Sequence, residues 1–135
     1  MKEKDIQTIF RDHNQVMGVF ELKLCKGTSL PFDAVKEHQR QALSQVSTDT
    51  GLFFKIPDSP IFTGTKMRFT ALKPFDCFHL AQIPAYVVIC FYQPRKYKRF
   101  YYITIQAFLE LEQEVYRKSI TMDMAKEFSE VEMEI

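Results

Sequence analysis

Apolar positions recur along this chain with two different periods, and the switches between them mark out the elements. Ile6, Ile9 and Phe10 fall at helical spacing, which predicts a short amphipathic helix from Glu3 to about His13. A strand is predicted over residues 16–24, where Val19, Phe20, Leu22 and Leu24 sit around Glu21 and Lys23. Residues 25–29 read as a loop. Pro31 and Asp33 then stand where a helix would begin, with Asp33 as N-cap. The predicted helix over 34–46 turns Val35, Ala42, Leu43 and Val46 inward and leaves Lys36, Glu37, His38, Gln39, Arg40 and Gln41 polar. Thr48, Asp49, Thr50 and Gly51 make a turn.

Residues 52–56 form a compact apolar strand that Pro57, Asp58, Ser59 and Pro60 end. Another strand is predicted at 67–72, broken at Lys73-Pro74, and residues 74–80 are extended again with Asp76 between Phe75 and Cys77. Residues 85–92 (AYVVICFY) are β-branched and aromatic throughout, as suits a central strand. A basic turn follows, and residues 100–105 return as the second arm of a hairpin. Phe108, Leu109, Leu111, Val115 and Tyr116 form the stripe of a further helix, and a final short one starts near Thr121. The order of helix, strand, helix, several strands and helices makes an α/β or α+β domain around one mixed sheet.

At 135 residues the chain suffices for one core, burying roughly two thirds of its unfolded surface. We therefore expect a single domain over 1–135, closed by an acidic C-terminal helix or tail at about 119–135. A composition 46% hydrophobic and 26% charged, with 4 Gly and 6 Pro, is globular rather than disordered. Thirteen Phe and six Tyr make the core aromatic. The net charge of +1 conceals a polarity: Arg95, Lys96, Lys98 and Arg99 are clustered, whereas Glu127, Glu130, Glu132 and Glu134 make the C-terminus acidic. Three widely spaced cysteines, Cys25, Cys77 and Cys90, argue against a disulfide framework or zinc site and for a reducing cytosol. The charged start carries no secretory signal, and the apolar run at 85–91 is too short to span a bilayer.

Glu21 and Lys23 project from the same face of one strand, an odd placement beside so many apolar residues. A carboxylate suits a hard cation such as Mg²⁺, and an ammonium suits a water or a developing phosphate charge. That pair alone also fits a structural salt bridge. Hydrolysis of a phosphodiester by this chemistry needs another carboxylate, with Asp12, Asp58 and Asp76 as candidates. No Ser or Cys stands on a nucleophile turn that would make a hydrolytic triad. The basic run interleaved with Tyr97 and flanked by Tyr92 and Phe100 suits contacts to a phosphate backbone, with nothing that reads bases.

The stretch FELKLCKGTSLPFDAVKEHQRQAL resembles the PD-(D/E)xK nuclease superfamily, and within it the RecU-type Holliday-junction resolvases. The resemblance lies in Glu21-x-Lys23, the loop with Lys26 and Ser29, Pro31, and the helix bearing His38 and Gln39; residues 85–111 are similar to the strands and helix that close that core. It implies a restriction-endonuclease-like mixed sheet flanked by helices. It also implies a Mg²⁺-dependent DNA endonuclease (Mn²⁺ substituting) that acts on branched DNA as a homodimer. In that family the essential Asp precedes the Glu-x-Lys strand, whereas here the segment that looks like its carrier lies at 51–80. Asp76 then joins Glu21 as metal ligand, with rearranged strand order, and Asp12 is the alternative; Glu3 matches a first-helix acid of some members. The site would comprise Glu21, Lys23, Asp76 and Gln39, with DNA contacts from Lys26, Ser29, His38, Lys73, Arg95, Lys96, Lys98 and Arg99. Other duplex or damaged DNA as substrate, or a catalytically inactive nucleic-acid-binding module, are the rival readings.

Overall fold

The apolar run expected at the centre of the sheet is there, and both of its faces are covered. In chain order the elements are helix α1 (Glu3–His13), strand β1 (Val19–Cys25), the short strand β2 (Ser29–Pro31) with a 3₁₀ turn Phe32–Ala34, and helix α2 (Glu37–Val46). They continue with β3 (Leu52–Lys55), β4 (Cys77–Leu80), β5 (Ala85–Gln93), β6 (Tyr97–Thr104), α3 (Ile105–Glu114), β7 (Ser119–Thr121), α4 (Met122–Phe128) and β8 (Val131–Glu134). The computed structural model describes residues 1–57 and 73–135. The expected strand at 67–72 and the Asp58-Ser59 turn lie outside the described residues.

The main sheet has the order β1-β5-β6-β8. Parallel pairing of β1 with β5 sets Val19 opposite Ala85 and Cys25 opposite Phe91, while β6 runs antiparallel to both β5 and β8. Two small ribbons, β2 with β7 and β3 with β4, complete the α+β architecture. Residues 85–91 of β5 are all buried because the sheet is covered on both sides. On one side α1 inserts Ile6 and Phe10 among Tyr86, Val88, Cys90, Phe100 and Tyr102, with Phe20, Leu22 and Leu24 of β1 packed at the rim. On the other, α2, α3 and α4 bring Leu43, Val46, Phe108, Leu111 and Ala125 onto Val87, Ile89, Phe91, Tyr101 and Ile103. Strand alternation places Glu21 and Lys23 on this second side.

Several boundaries differ from expectation for local reasons. The helix expected from residue 34 starts at Glu37: Asp33 lies in the 3₁₀ turn, and Gln39 caps α2 by accepting the Lys36 N–H at 2.9 Å. Strand β1 begins at Val19 rather than at residue 16, where Asn14 holds Val16 by two hydrogen bonds. Lys98 and Arg99 belong to β6 and not to the turn. Tyr116 is not part of a buried stripe: α3 ends at Glu114 and the ring is fully exposed. The acidic C-terminus is strand in its last part, with β8 using Val131 and Met133 against the sheet and its glutamates outward. Thr121 does cap α4, its hydroxyl accepting the Met124 N–H at 3.1 Å.

At the β3–β4 ribbon, Gly51 holds φ +73, and a Cβ there would run into the Leu80 carbonyl oxygen. Gly51→Ala should therefore destabilise the fold by roughly 2 kcal/mol or more, read as a lower urea midpoint. An unchanged midpoint would refute this role for the turn.

Burial pushes the Cys90 thiol up to about 12 from 9.0, and burial also raises Tyr86, Tyr101 and Tyr102 above 10.0. The folded chain retains protons that the unfolded chain releases, so these groups stabilise fully below about pH 9 and lose that contribution as pH rises beyond it. Denaturant midpoints should fall above pH 9, with a shallower fall in Cys90→Ala. A rising midpoint there would contradict the assignment.

Candidate active site

Because Glu21 and Lys23 are two residues apart on β1, both side chains stand on the α2 side of the sheet. Lys23 Nζ lies 3.3 Å from Glu21 Oε1, and the two side chains are 12% and 25% exposed. Gln39, in the first turn of α2, donates from Nε2 to the same Glu21 Oε1 at 2.9 Å. The opposite end of the Gln39 carboxamide takes the Lys36 N–H, which fixes which end of the amide faces the strand. Helix cap and strand carboxylate are thus joined through one side chain. Glu21 Oε2 takes no hydrogen bond from the described residues.

The clamp that holds α2 in this position is Arg40. Its guanidinium donates to the Val35 carbonyl at 2.8 Å and the Phe32 carbonyl at 2.7 Å, and it forms a two-pronged ion pair with Glu112 of α3. It also lies over the Phe108 ring, 5.5 Å from the centroid. Hydrogen bonding of the guanidinium to the Glu112 carboxylate raises the Arg40 pKa, outweighing desolvation. In the sequence Arg40 is one polar residue in a polar helical run. Its carboxylate partner lies 72 residues away, so nothing local marks it out from its neighbours.

The loop leaving β1 is tied down as well. Cys25 Sγ donates to the Ser29 carbonyl at 3.2 Å, the Met122 N–H to the Thr28 carbonyl at 2.9 Å, and β2 pairs with β7. Lys26, Ser29 and His38 are exposed around this loop and the start of α2.

Of the candidate carboxylates, Asp76 lies immediately before β4, where its carbonyl accepts the Ile56 N–H at 2.8 Å. Its side chain is 86% exposed and pairs with Lys73 at 3.3 Å. The ribbon carrying it is anchored at its other end, where the Gln82 and Ile83 N–H groups reach the Thr48 and Val46 carbonyls at the C-terminal end of α2. Asp12 and Glu3 belong to α1, which covers the face opposite to Glu21. Sheet and core therefore separate Asp12 from the Glu21 cluster, and it pairs instead with Arg11 at 3.2 Å.

Among the described residues no group of three or more His, Cys, Asp or Glu side chains surrounds a common point. Mg²⁺ does not require one, since it commonly binds through one or two carboxylates, several waters and the oxygens of a substrate phosphate. The unengaged Oε2 of Glu21 is a hard oxygen donor of the kind such a cation takes.

The four clustered cations divide in two. Arg99 is engaged, its Nε 3.5 Å from Glu134 of β8 and its guanidinium 4.3 Å from the centroid of the Tyr97 ring. Arg95, Lys96 and Lys98 have no carboxylate within ion-pair distance among the described residues. No helix among the described residues is long and apolar enough to cross a membrane. Comparison of the chain with protein-family models, with curated proteins and with solved structures gave no match.

Arg40→Ala removes donors from two carbonyls and a carboxylate at once. It should cost roughly 2–4 kcal/mol in chemical denaturation, and Arg40→Lys should recover little of this, because an ammonium cannot reproduce the planar fork. Equal stability of Arg40→Ala and wild type would refute the clamp.

Proposed function

We propose that this chain is a divalent-metal-dependent DNA endonuclease of the restriction-endonuclease-like fold, selective for branched DNA such as a four-way junction. The observation that carries the reading is the Glu21–Lys23–Gln39 cluster: a carboxylate and a part-buried ammonium on one strand face, joined to the cap of the following helix. The β1–α2–β5 unit, with its two strands parallel and adjacent, agrees with the fold that Glu-x-Lys resembles.

Glu21 would hold the cation through Oε2, with Asp76 as the second carboxylate brought in from the downstream ribbon. When bound, Mg²⁺ supplies Lewis-acid activation of a phosphoryl oxygen and a nucleophilic water. The chain's own residues do the rest. Lys23 orients the attacking water and neutralises charge that grows on the phosphate oxygens as the new P–O bond forms and the old one breaks. Gln39 positions Glu21, keeping one carboxylate oxygen occupied. A junction calls for two symmetric cuts, so the proposal includes a homodimer.

A specific observation favours a second reading, a DNA-binding module of this fold without catalysis: Asp76 is exposed and paired with Lys73, not drawn toward a carboxylate cluster. Cleavage of a four-way junction, a linear duplex and a single strand, each with and without Mg²⁺, separates these readings. The nuclease reading expects Mg²⁺-dependent cutting, fastest on the junction, with losses of about 10²-fold or more in Lys23→Ala and Glu21→Gln and a comparable loss in Asp76→Asn. Full cutting by Lys23→Ala, or no metal-dependent cutting by wild type, would overturn it. Fastest cutting of linear duplex would keep the nuclease and change its substrate.

A further inference from the structure

The β5–β6 turn closes a cleft of about 210 Å³ lined by Tyr92, Gln93, Arg95, Lys96, Tyr97, Lys98 and Ile135. Three features distinguish it from an ordinary solvated turn. First, its three cations have no carboxylate partner among the described residues, although an acidic strand lies alongside. The register explains this: Glu132 and Glu134 pair with Tyr101 and Arg99, so they share the face of Arg99, whereas Lys98 projects from the opposite face. Strand β8 thus neutralises Arg99 alone. Second, Arg95 holds φ +64, a left-handed conformation that favours glycine, so the turn keeps a cationic side chain where its backbone would be better served by none. Third, Tyr92 and Tyr97 frame the cleft with polar-tipped rings at the edges of the two core layers.

The cleft also has a definite position relative to the Glu21 cluster. Glu21 pairs with Val87, and Gln93 at the turn lies six positions further along β5. At about 3.3 Å per residue the separation along the sheet is roughly 20 Å, and Lys98 shares its strand face with Phe100 and Tyr102, on the α1 side, whereas Glu21 faces α2. Lys26, just beyond Cys25, lies at the same end of the sheet.

We propose that Arg95, Lys96 and Lys98 form a phosphate-backbone clamp for duplex DNA at the β5–β6 end of the sheet. The clamp rests on the nuclease reading only for DNA as the partner, and its binding needs no cleavage. It contacts phosphates and not bases, so it acts equally on every sequence. Arg99 belongs to the fold and not to the clamp.

The test is the salt dependence of binding to a mixed-sequence 20-base-pair duplex and to a four-way junction, by fluorescence anisotropy in EDTA so that no strand is cut. Each lost phosphate contact should lower the slope of log K against log salt by about 0.9. The triple variant R95G/K96A/K98A should lose nearly three such increments on both DNAs. R95G alone should lose about one without lowering Tm, an outcome that a merely turn-forming role does not produce. A wild-type slope in a folded triple variant, or wild-type protein that binds neither DNA, would overturn the clamp. Should the triple variant not fold, the slopes of R95G and K98A singly decide the same question, one increment lost in each supporting the clamp and none lost refuting it. Absence of Mg²⁺-dependent cutting alongside the expected slope changes would sink the nuclease reading and leave the clamp standing.

Discussion

Parallel pairing of β1 with the buried strand β5 is the constraint from which the rest of the molecule follows. Val19 must sit opposite Ala85 and Cys25 opposite Phe91 for the apolar residues of both strands to share two cores. A shift of one residue would turn Phe20, Leu22 and Leu24 toward α2 and drive Glu21 and Lys23 under α1. In the register adopted, two charged groups reach the side where α2 can meet them, at the sheet's edge and not in its middle. That position makes a carboxylate–ammonium pair tolerable near a core, because both groups keep some solvent and have partners.

Around this pairing, polar side chains do work that apolar packing cannot. Gln39 converts a helix cap into a tether for Glu21, and Arg40 fastens the same turn of α2 to the 3₁₀ turn and to α3. The two neighbours on one helix therefore fix distance and orientation toward different layers. Loss of Arg40 would act on the site only indirectly, by loosening the helix from which Gln39 reaches. At the far edge, β8 closes the sheet while its Glu134 engages Arg99, leaving the turn beyond it cationic.

Much of this is legible in the sequence, for reasons that are local. Residues 85–92 announce a central strand by being apolar on both faces, and Glu-x-Lys announces a shared face by its spacing of two. Thr121 caps its helix as its type predicts. What cannot be read there depends on distant partners. Asp33 has the chemistry of a cap for α2, but a carboxamide later in the chain does that work. The acidic C-terminus reads as a solvated tail because only Val131 and Met133 alternate with its glutamates, too few to outweigh the charge until β6 offers an edge. The Arg40–Glu112 pair spans 72 residues and leaves no local trace. Asp12 is a candidate from sequence only because chain order does not say which face of a sheet a helix covers.

We propose that β1 and the downstream ribbon supply one metal site between them, with Glu21 and Asp76 as its carboxylates. A crystal structure of the protein with Mn²⁺, the ion located by its anomalous scattering, tests this directly. The predicted result is an ion with one oxygen of Glu21 and one of Asp76 each within about 2.0–2.6 Å. An ion held by Glu21 without Asp76, or bound away from β1 altogether, would contradict it.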